Sequence, residues 1–199
     1  MGSDSFDGPA RVRAVLEESA RVKREAAARL AEPIAEAAGR VALAYKAGGK
    51  VLLFGNGGSA SDAQHIAAEW TGRLVRERAA LPAIALTANT SDLTAIGNDY
   101  GFDRVFARLI EAHGREGDVA LAISTSGDSP NVLAGVEEAR RRGMFSVGLL
   151  GKGGGKLRDR VDLPLVVPSG DTQRIQEAHI AIAHAIAELV DELLFGESA

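Results

Sequence analysis

The sequence has no cysteine among its 199 residues, and it has no apolar run near the roughly 18 residues needed to cross a bilayer. Without cysteine there is no disulfide framework, no thiolate nucleophile and no cysteine-ligated metal site. Any metal must therefore be held by histidine, carboxylate or amide oxygen. The first residues also lack the basic patch and apolar run of a signal peptide. These absences predict a cytoplasmic protein with no membrane partner.

Basic charge is also scarce, because 23 Lys and Arg residues stand against 27 Asp and Glu residues, a net charge of −4. A nucleic-acid backbone demands a clustered basic face, so no nucleic-acid partner is expected. The densest basic stretch is Arg140–Arg142, which comes just before Gly143. It is typical of a helix C-terminus, where cations complement the helix dipole and glycine ends the helix.

The chain changes its pattern near residue 50. Residues 1–8 are expected to be a disordered tail, and residues 9–47 predict two helices, with Pro33 in the first turn of the second. The Ala-rich face of this helical hairpin predicts an oligomer interface.

After residue 50, short apolar runs alternate with amphipathic stretches. The runs predict strands at 51–54, 83–86, 119–123, 146–150 and 163–167, and the stretches predict helices near 59–77, 101–113, 130–142, 154–160 and 172–195.

The predicted strands are apolar throughout, as in parallel sheets that are covered on both faces. The fold class is therefore α/β, a three-layer sandwich around a five-stranded parallel sheet, preceded by the helical hairpin. Ligands of such sheets bind beyond the carboxyl ends of the strands, so the residues after each strand are the candidates for a site.

Two strand ends carry loops rich in glycine and hydroxyl groups. The first loop, 55–62, reads G-N-G-G-S-A-S-D, and the second loop, 124–131, reads S-T-S-G-D-S-P-N. Exposed backbone amides, hydroxyls at a helix N-terminus and the absence of Lys and Arg suit a phosphomonoester held by neutral donors. Tight turns with well-capped helices are the alternative interpretation of each loop.

A third glycine-rich segment, 151–156, lacks the leading glycine and the Ser or Thr after Lys156 that a nucleotide-binding P-loop needs. It is interpreted as a flexible turn, and no nucleotide cofactor is expected.

Two helices carry groups that could bind a metal or move protons. His65 and Glu69 are four residues apart, and Gln176 and His184 are eight apart, so each pair shares one side of its helix. These four residues could close a zinc site. Glu69 and His184 could equally act as a base and an acid, and a surface contact is the simplest alternative for a His and Glu pair.

Asn98 and Asp99 could contact a hydroxylated ligand or form a turn. His113, His179 and Trp70 are interpreted as structural.

These segments together resemble the sugar isomerase (SIS) domain family, and within it the phosphoheptose isomerases, over about residues 35–195. The resemblance lies in G-N-G-G-S at 55–59, D-A-Q-H-x-A-x-E at 62–69, L-T-A-I-G-N-D-Y at 93–100, A-I-S-T-S-G-D-S-P-N at 122–131 and R-I-Q-E-x-H at 174–179. Glu69, Gln176 and His184 are the residues that narrow it to the phosphoheptose isomerases. One departure is Gln173, where some members have an acidic residue, with Asp171 two positions earlier.

The resemblance implies an aldose–ketose isomerase that converts sedoheptulose 7-phosphate to D-glycero-D-manno-heptose 7-phosphate through an enediol. This is the first step toward nucleotide-activated heptose for glycans such as the lipopolysaccharide core. It implies Glu69 and His184 as catalytic residues and a zinc ion held by His65, Glu69, Gln176 and His184. Implied substrate contacts are Asn56, Gly57, Gly58, Ser59, Glu69, Asn98, Asp99, Ser124, Thr125, Ser126, Ser129 and Gln176. A homotetramer with active sites at subunit interfaces is also implied.

Other members of the same fold family are the competing hypotheses. A noncatalytic SIS protein that binds a replication initiator would lack the equivalents of Glu69 and His184, both of which are present here. Arabinose 5-phosphate isomerases normally carry C-terminal regulatory modules, and only residues 196–199 follow the last predicted helix. The sequence therefore favours the heptose isomerase.

Overall fold

The computed structural model describes residues 7–196 and consists of one parallel sheet with helices on both faces. The strands are β1 (Val51–Gly55), β2 (Ala83–Ala85), β3 (Val119–Ser124), β4 (Phe145–Leu150) and β5 (Leu163–Val166). The helices are α1 (Gly8–Lys46), α2 (Gly58–Thr71), α3 (Thr90–Tyr100), α4 (Val105–His113), α5 (Pro130–Arg141) and α6 (Thr172–Phe195). Short 3-10 segments span Phe102–Arg104 and Lys152–Asp159.

The sheet has the order β2-β1-β3-β4-β5, with every neighbouring pair parallel. This is the flavodoxin-like arrangement, and the predicted α/β sandwich with five parallel strands is confirmed. After β1 the chain crosses to β2 at one edge of the sheet, and after β3 it continues to β4 and β5 toward the other edge. The switch point of the sheet therefore lies between the carboxyl ends of β1 and β3, where the first and second loops begin.

Two hydrophobic cores cover the two faces of the sheet. On one face α1, α2 and α6 pack against alternate residues of the strands, including Leu53 of β1 and Leu121 of β3. On the other face α4 and α5 pack against the intervening residues, including Phe54. Within residues 7–196, no helix combines the length and the apolar character that crossing a membrane requires.

The N-terminal region differs from the predicted hairpin, because α1 is one continuous helix of 39 residues with Pro33 in its interior. Proline removes one helical hydrogen bond, but strong helix formers surround it and the same face stays buried on both sides, at Leu30 and at Ile34. That face packs against α6 of the same chain. Residues 1–6 of the expected tail lie outside the described residues, while Asp7 accepts a hydrogen bond from the Ala10 N–H and caps the helix.

Other helix boundaries also needed correction. The helix predicted near 59–77 ends at Thr71, and the chain then continues without regular structure to β2. The helix predicted near 101–113 is preceded by α3 and a 3-10 turn, because Asn89 caps α3 by accepting from Ser91 N–H. The helix predicted near 154–160 is a 3-10 segment containing three glycines with positive φ. His113 and Arg141 end α4 and α5 as predicted.

Candidate active site

The first loop joins β1 to α2 by a sharp turn. Gly57 precedes the helix with φ 58°, a conformation that favours glycine, and α2 begins at Gly58. We expected a hydroxyl cap here, but α2, which lies wholly within the described residues, has no side-chain cap. The Ser59 side chain is buried instead. The amides of Ser59, Ala60 and Ser61 donate to the backbone carbonyl oxygens of Asn56 and Gly57 instead. What this helix N-terminus offers an anion is the partial positive charge of the helix dipole.

The second loop is held by its own hydroxyls and by the 3-10 segment beside it. The Gly127 N–H donates to Ser124 Oγ at 3.1 Å, and Ser124 Oγ lies 3.3 Å from Ser129 Oγ. Gly127 has φ 71° and accepts a hydrogen bond from Leu157 N–H. A Cβ at Gly127 would lie 1.9 Å from the Gly154 carbonyl oxygen, so only glycine fits.

The hydroxyl groups of the second loop do not cap α5, although we predicted that they could. Ser129 precedes α5 without a side-chain cap, and Thr125 and Ser126 are half-buried. Ser126 Oγ accepts from Asp128 N–H at 3.2 Å, and Asp128 in turn accepts from Lys156 N–H at 3.0 Å. The loop thus gathers neutral donors at the N-terminus of α5 without a basic side chain of its own.

A pair of side-chain amides ties the two loops together across the switch point. Asn56 Nδ2 donates to Asn131 Oδ1 at 2.8 Å, and Asn131 Nδ2 donates back to Asn56 Oδ1 at 2.9 Å. Asn131 is almost fully buried. Sequence analysis gave Asn131 no role, because its only signal was its place in the motif of the second loop. The pair fixes the position of the proposed sugar contact Asn56.

The structure brings together His65 and Glu69 of α2 with His184 of α6. The Nε2 atoms of the two histidines are 2.9 Å apart, and His65 Nε2 is 3.4 Å from Glu69 Oε1. The His65 side chain is 51% exposed and the Glu69 side chain only 18%. In this histidine cluster the Glu69 carboxylate and the His184 imidazole come within 4.8 Å of each other, and a carboxylate beside an imidazole is a pair that can carry out acid–base chemistry.

The histidine cluster also fits a metal ion. One donor atom from each of its three residues lies within 4.8 Å of the others, and two imidazoles with one carboxylate are a common zinc donor set. The arrangement therefore supports a metal-binding group of the kind that the sequence suggested.

Gln176, the fourth predicted ligand, lies against the start of α2. Its amide packs against Gly58, where an added Cβ would be 2.3 Å from Gln176 Nε2. Gly58 and His65 are seven residues apart, about 10 Å along the axis of α2. Gln176 is therefore placed beside the first loop, and its role as a metal ligand stays a prediction.

Two further titratable groups lie on the helices that carry the histidine cluster. Partial burial raises the pKa of Asp62, whose Oδ2 is buried and has no hydrogen-bond partner among residues 7–196. Burial lowers the pKa of His179 to about 4, and its Nε2 lies 3.0 Å from the Leu150 carbonyl oxygen. His179 is thus a neutral group that fastens α6 to the end of β4, consistent with a structural role.

Asn98 and Asp99 lie at the end of α3 rather than in a turn. Asn98 Nδ2 donates to Asp99 Oδ1 at 2.8 Å, and both side chains are near the surface. A cavity of about 210 Å³ lies between the first loop and this part of the chain, lined by residues such as Asn56, Leu93 and Phe106. A larger open groove of about 640 Å³, between α1 and the segment after β5, shares no residue with the predicted site.

A family model described as SIS domain matches residues 16–151. The flavodoxin-like sheet and the loops at its switch point are therefore those of an SIS-domain protein. Among curated proteins, the phosphoheptose isomerase of Rhodospirillum rubrum is 57% identical over 164 residues, covering 82% of this chain and 87% of that protein. The phosphoheptose isomerase of Aquifex aeolicus is 50% identical over 184 residues, covering 92% and 96%.

Solved structures agree with these relatives. The phosphoheptose isomerase from Neisseria gonorrhoeae superposes with a TM-score of 0.88 at 48% identity, covering 92% of this chain and 98% of that one. The enzyme from Francisella tularensis superposes with a TM-score of 0.91 at 39% identity, covering 94% and 100%. The chain belongs to the phosphoheptose isomerase family and is an isomerase. The alternative of a noncatalytic protein that binds a replication initiator is not supported.

Proposed function

We propose that the enzyme interconverts sedoheptulose 7-phosphate and D-glycero-D-manno-heptose 7-phosphate through an enediol. The observation that carries this proposal is the Glu69 carboxylate within 4.8 Å of the His184 imidazole, on helices that also meet the first loop. Relatives at 50% to 57% identity are named phosphoheptose isomerases, which supports a heptose phosphate as the substrate.

The reaction moves one proton between neighbouring carbons. In the proposed mechanism Glu69 removes a proton from C1 of the ketose, and the electrons of that bond form the double bond of the enediol. His184 protonates O2 as this happens. Glu69 then returns a proton to C2 while His184 accepts the O1 proton, so that the aldehyde forms at C1. Atoms and charge balance without any oxidant.

We propose that the two loops form the binding site for the phosphate and the sugar hydroxyls. We assign phosphate contacts to Ser59, Ser124, Thr125, Ser126 and Ser129, and sugar contacts to Asn56, Gly57, Gly58, Asn98, Asp99 and Gln176. The N-termini of α2 and α5 supply partial positive charge for the phosphate. About 10 Å along α2 separates Gly58 from His65, a length that suits a long extended sugar phosphate.

We propose zinc as the metal, held by His65, Glu69 and His184, with Gln176 as the fourth ligand expected from the family. When bound, zinc supplies Lewis acidity that polarises a carbonyl oxygen and stabilises negative charge on it. The two imidazoles and the carboxylate are ligands that zinc prefers.

We further propose a homotetramer with its active sites between subunits and with residues 9–47 in the contacts, while residues 35–195 form the isomerase domain. Large apolar side chains remain exposed on α1, with Val12 58%, Leu16 64% and Leu43 62% exposed, which supports further burial in an assembly. Because a phosphorylated sugar is ionised and does not cross a bilayer unaided, we place the activity in the cytoplasm.

A proton NMR time course of the purified enzyme with sedoheptulose 7-phosphate in deuterated water tests the proposal, with and without zinc after chelation. We expect signals of the aldoheptose phosphate and deuterium at its C2. Unphosphorylated sedoheptulose should react far more slowly if the two loops bind the phosphate. Absence of turnover with heptose phosphate under either metal condition would contradict the proposed function.

A further inference from the structure

A buried ion pair that no sequence motif indicated lies behind the histidine cluster. Arg78 follows α2 in the irregular segment before β2, and its Nε lies 2.8 Å from Asp191 Oδ1 on α6. Their side chains are 2% and 8% exposed. Two charges removed from water to this extent require each other, and they require partners for their remaining hydrogen-bonding groups.

Arg78 finds those partners at the C-terminus of α2. Its guanidinium donates to the Glu69 carbonyl oxygen at 2.9 Å, to the Trp70 carbonyl oxygen at 2.8 Å and to the Gly72 carbonyl oxygen at 3.1 Å. Because α2 ends at Thr71, the carbonyls of its last turn lack partners within the helix. The guanidinium supplies those partners, and its charge opposes the negative end of the helix dipole.

Asp191 connects the same guanidinium to the helix that carries His184. Seven residues separate Asp191 from His184, two helical turns, so both lie on the side of α6 that faces α2. Glu69 lies in the last turn of α2, and that turn is the part of a helix that frays most readily. The ion pair therefore spans the two helices that supply the histidine cluster.

Aromatic side chains close off this region from water. Tyr45 of α1 and Trp70 of α2 meet edge to face, with ring centroids 6.2 Å apart, and Trp70 is 1% exposed. The hydroxyl of Tyr45 is buried. Low local polarity strengthens the hydrogen bonds that Arg78 donates, and it makes the loss of one of them costly.

We infer that Arg78 is a positioning residue, which clamps the last turn of α2 to Asp191 of α6 and so fixes Glu69 opposite His184. This inference rests on the proposed function for its effect on catalysis. The clamp itself is a structural statement that can be tested without substrate.

The test compares Arg78→Lys with the wild type. Lysine keeps the charge that pairs with Asp191, but a single ammonium cannot reproduce the planar fork that donates to both Glu69 and Trp70 carbonyls. We expect kcat to fall about 10- to 100-fold with KM within about twofold, because a small displacement of a catalytic group slows chemistry more than binding. Arg108→Lys, an exposed arginine paired with Glu111, is the matched control and should behave as the wild type.

Hydrogen exchange measures the clamp independently of activity. Two backbone amides report on it, because Gly72 N–H donates to the Ala68 carbonyl oxygen and Leu81 N–H donates to the Trp70 carbonyl oxygen. Both should exchange faster in Arg78→Lys while amides of the strands exchange as before. Unchanged exchange, or faster exchange with kcat within twofold of the wild type, would overturn the inference. If the wild type proves inactive on heptose phosphate, the exchange result still decides whether the clamp exists.

A double variant, Arg78→Met with Asp191→Leu, guards against simple unfolding. It removes both buried charges together, so no unpaired charge remains in the core. We expect a folded protein, by circular dichroism and melting temperature, in which kcat is still reduced at least tenfold. A folded double variant with wild-type kcat would overturn the positioning role.

Discussion

The loops at the switch point and the histidine cluster are held in place by different kinds of contact. In the second loop, backbone amides and short hydroxyls bond to one another over a few residues, as Ser124 does with Gly127. In the histidine cluster, long side chains from α2 and α6 meet across 119 residues of sequence. The comparison teaches that the second loop combines short-range hydrogen bonds with support from the 3-10 segment beside it, whereas the histidine cluster depends on the packing of two helices.

The largest effect is expected from Glu69→Gln, which tests the chemistry of the histidine cluster. The amide cannot accept the carbon-bound proton, so turnover should fall about 10²- to 10⁴-fold while the fold is kept. The NMR time course measures this loss. Glu111→Gln, an exposed glutamate on α4, is the control and should leave turnover unchanged. Full activity of Glu69→Gln would remove Glu69 from the mechanism.

The next largest effect is on stability, and it tests how the second loop is held in place. Gly127→Ala combines a positive φ with an added Cβ 1.9 Å from the Gly154 carbonyl oxygen, and it should lower the free energy of unfolding by about 2–4 kcal/mol. Urea denaturation measures it. Gly48→Ala is the control, since Gly48 has φ 80° but open space around it, and should cost only about 1–2 kcal/mol. Equal losses would show that the close approach to Gly154 is unimportant.

The third effect concerns how α6 is anchored to the sheet. The pKa of His179 is about 4 in the folded protein, below its ordinary value, so the unfolded chain binds the proton first as pH falls. The free energy of unfolding is therefore highest above the histidine pKa of the unfolded chain, and it falls as the pH drops from there toward the pKa of the folded protein. Between pH 7 and pH 5 the expected loss is about 2 kcal/mol. Unfolding free energies at the two pH values measure this loss. His179→Gln should reduce the pH dependence, and an unchanged slope would contradict the assignment.

The smallest effect is expected from a substitution at the start of α2 that should lower activity while leaving stability nearly unchanged. Gly58→Ala places a Cβ 2.3 Å from Gln176 Nε2, at the movable end of a flexible side chain. Stability should change by less than about 1 kcal/mol, while displacement of Gln176 lowers kcat/KM about tenfold. Gly39→Ala, at a helical glycine with open space, is the control for both measurements. A wild-type kcat/KM for Gly58→Ala would show that Gln176 does not need its place beside the first loop.

The same comparison explains what the sequence could predict. All five strands and their order along the chain follow from continuous apolar runs, and the two loops follow from glycines and hydroxyls at strand ends. Helical spacing singled out His65, Glu69 and His184 as candidates, and only the resemblance to a family implied one shared site, because spacing along one helix cannot show that two helices meet.

What sequence analysis missed depends on contacts across the fold. Asn131 acquires its partner only when β3 lies beside β1, and Arg78 acquires Asp191 only when α6 packs against α2. Asn131 had only its place in the motif of the second loop as a signal, and Arg78 had none. The hairpin was wrong because Pro33 was given more weight than the continuous buried face from Leu30 to Val41.

The amide pair of Asn56 and Asn131 has a consequence for the order of folding. Its partners are 75 residues apart, and the two histidines are 119 apart, so neither contact exists until distant parts of the chain have docked. A chain that has formed β1 and α2 but not yet received α6 has half of the site and no acid–base pair. Catalytic competence therefore requires both docked contacts, and no local segment of the chain has it.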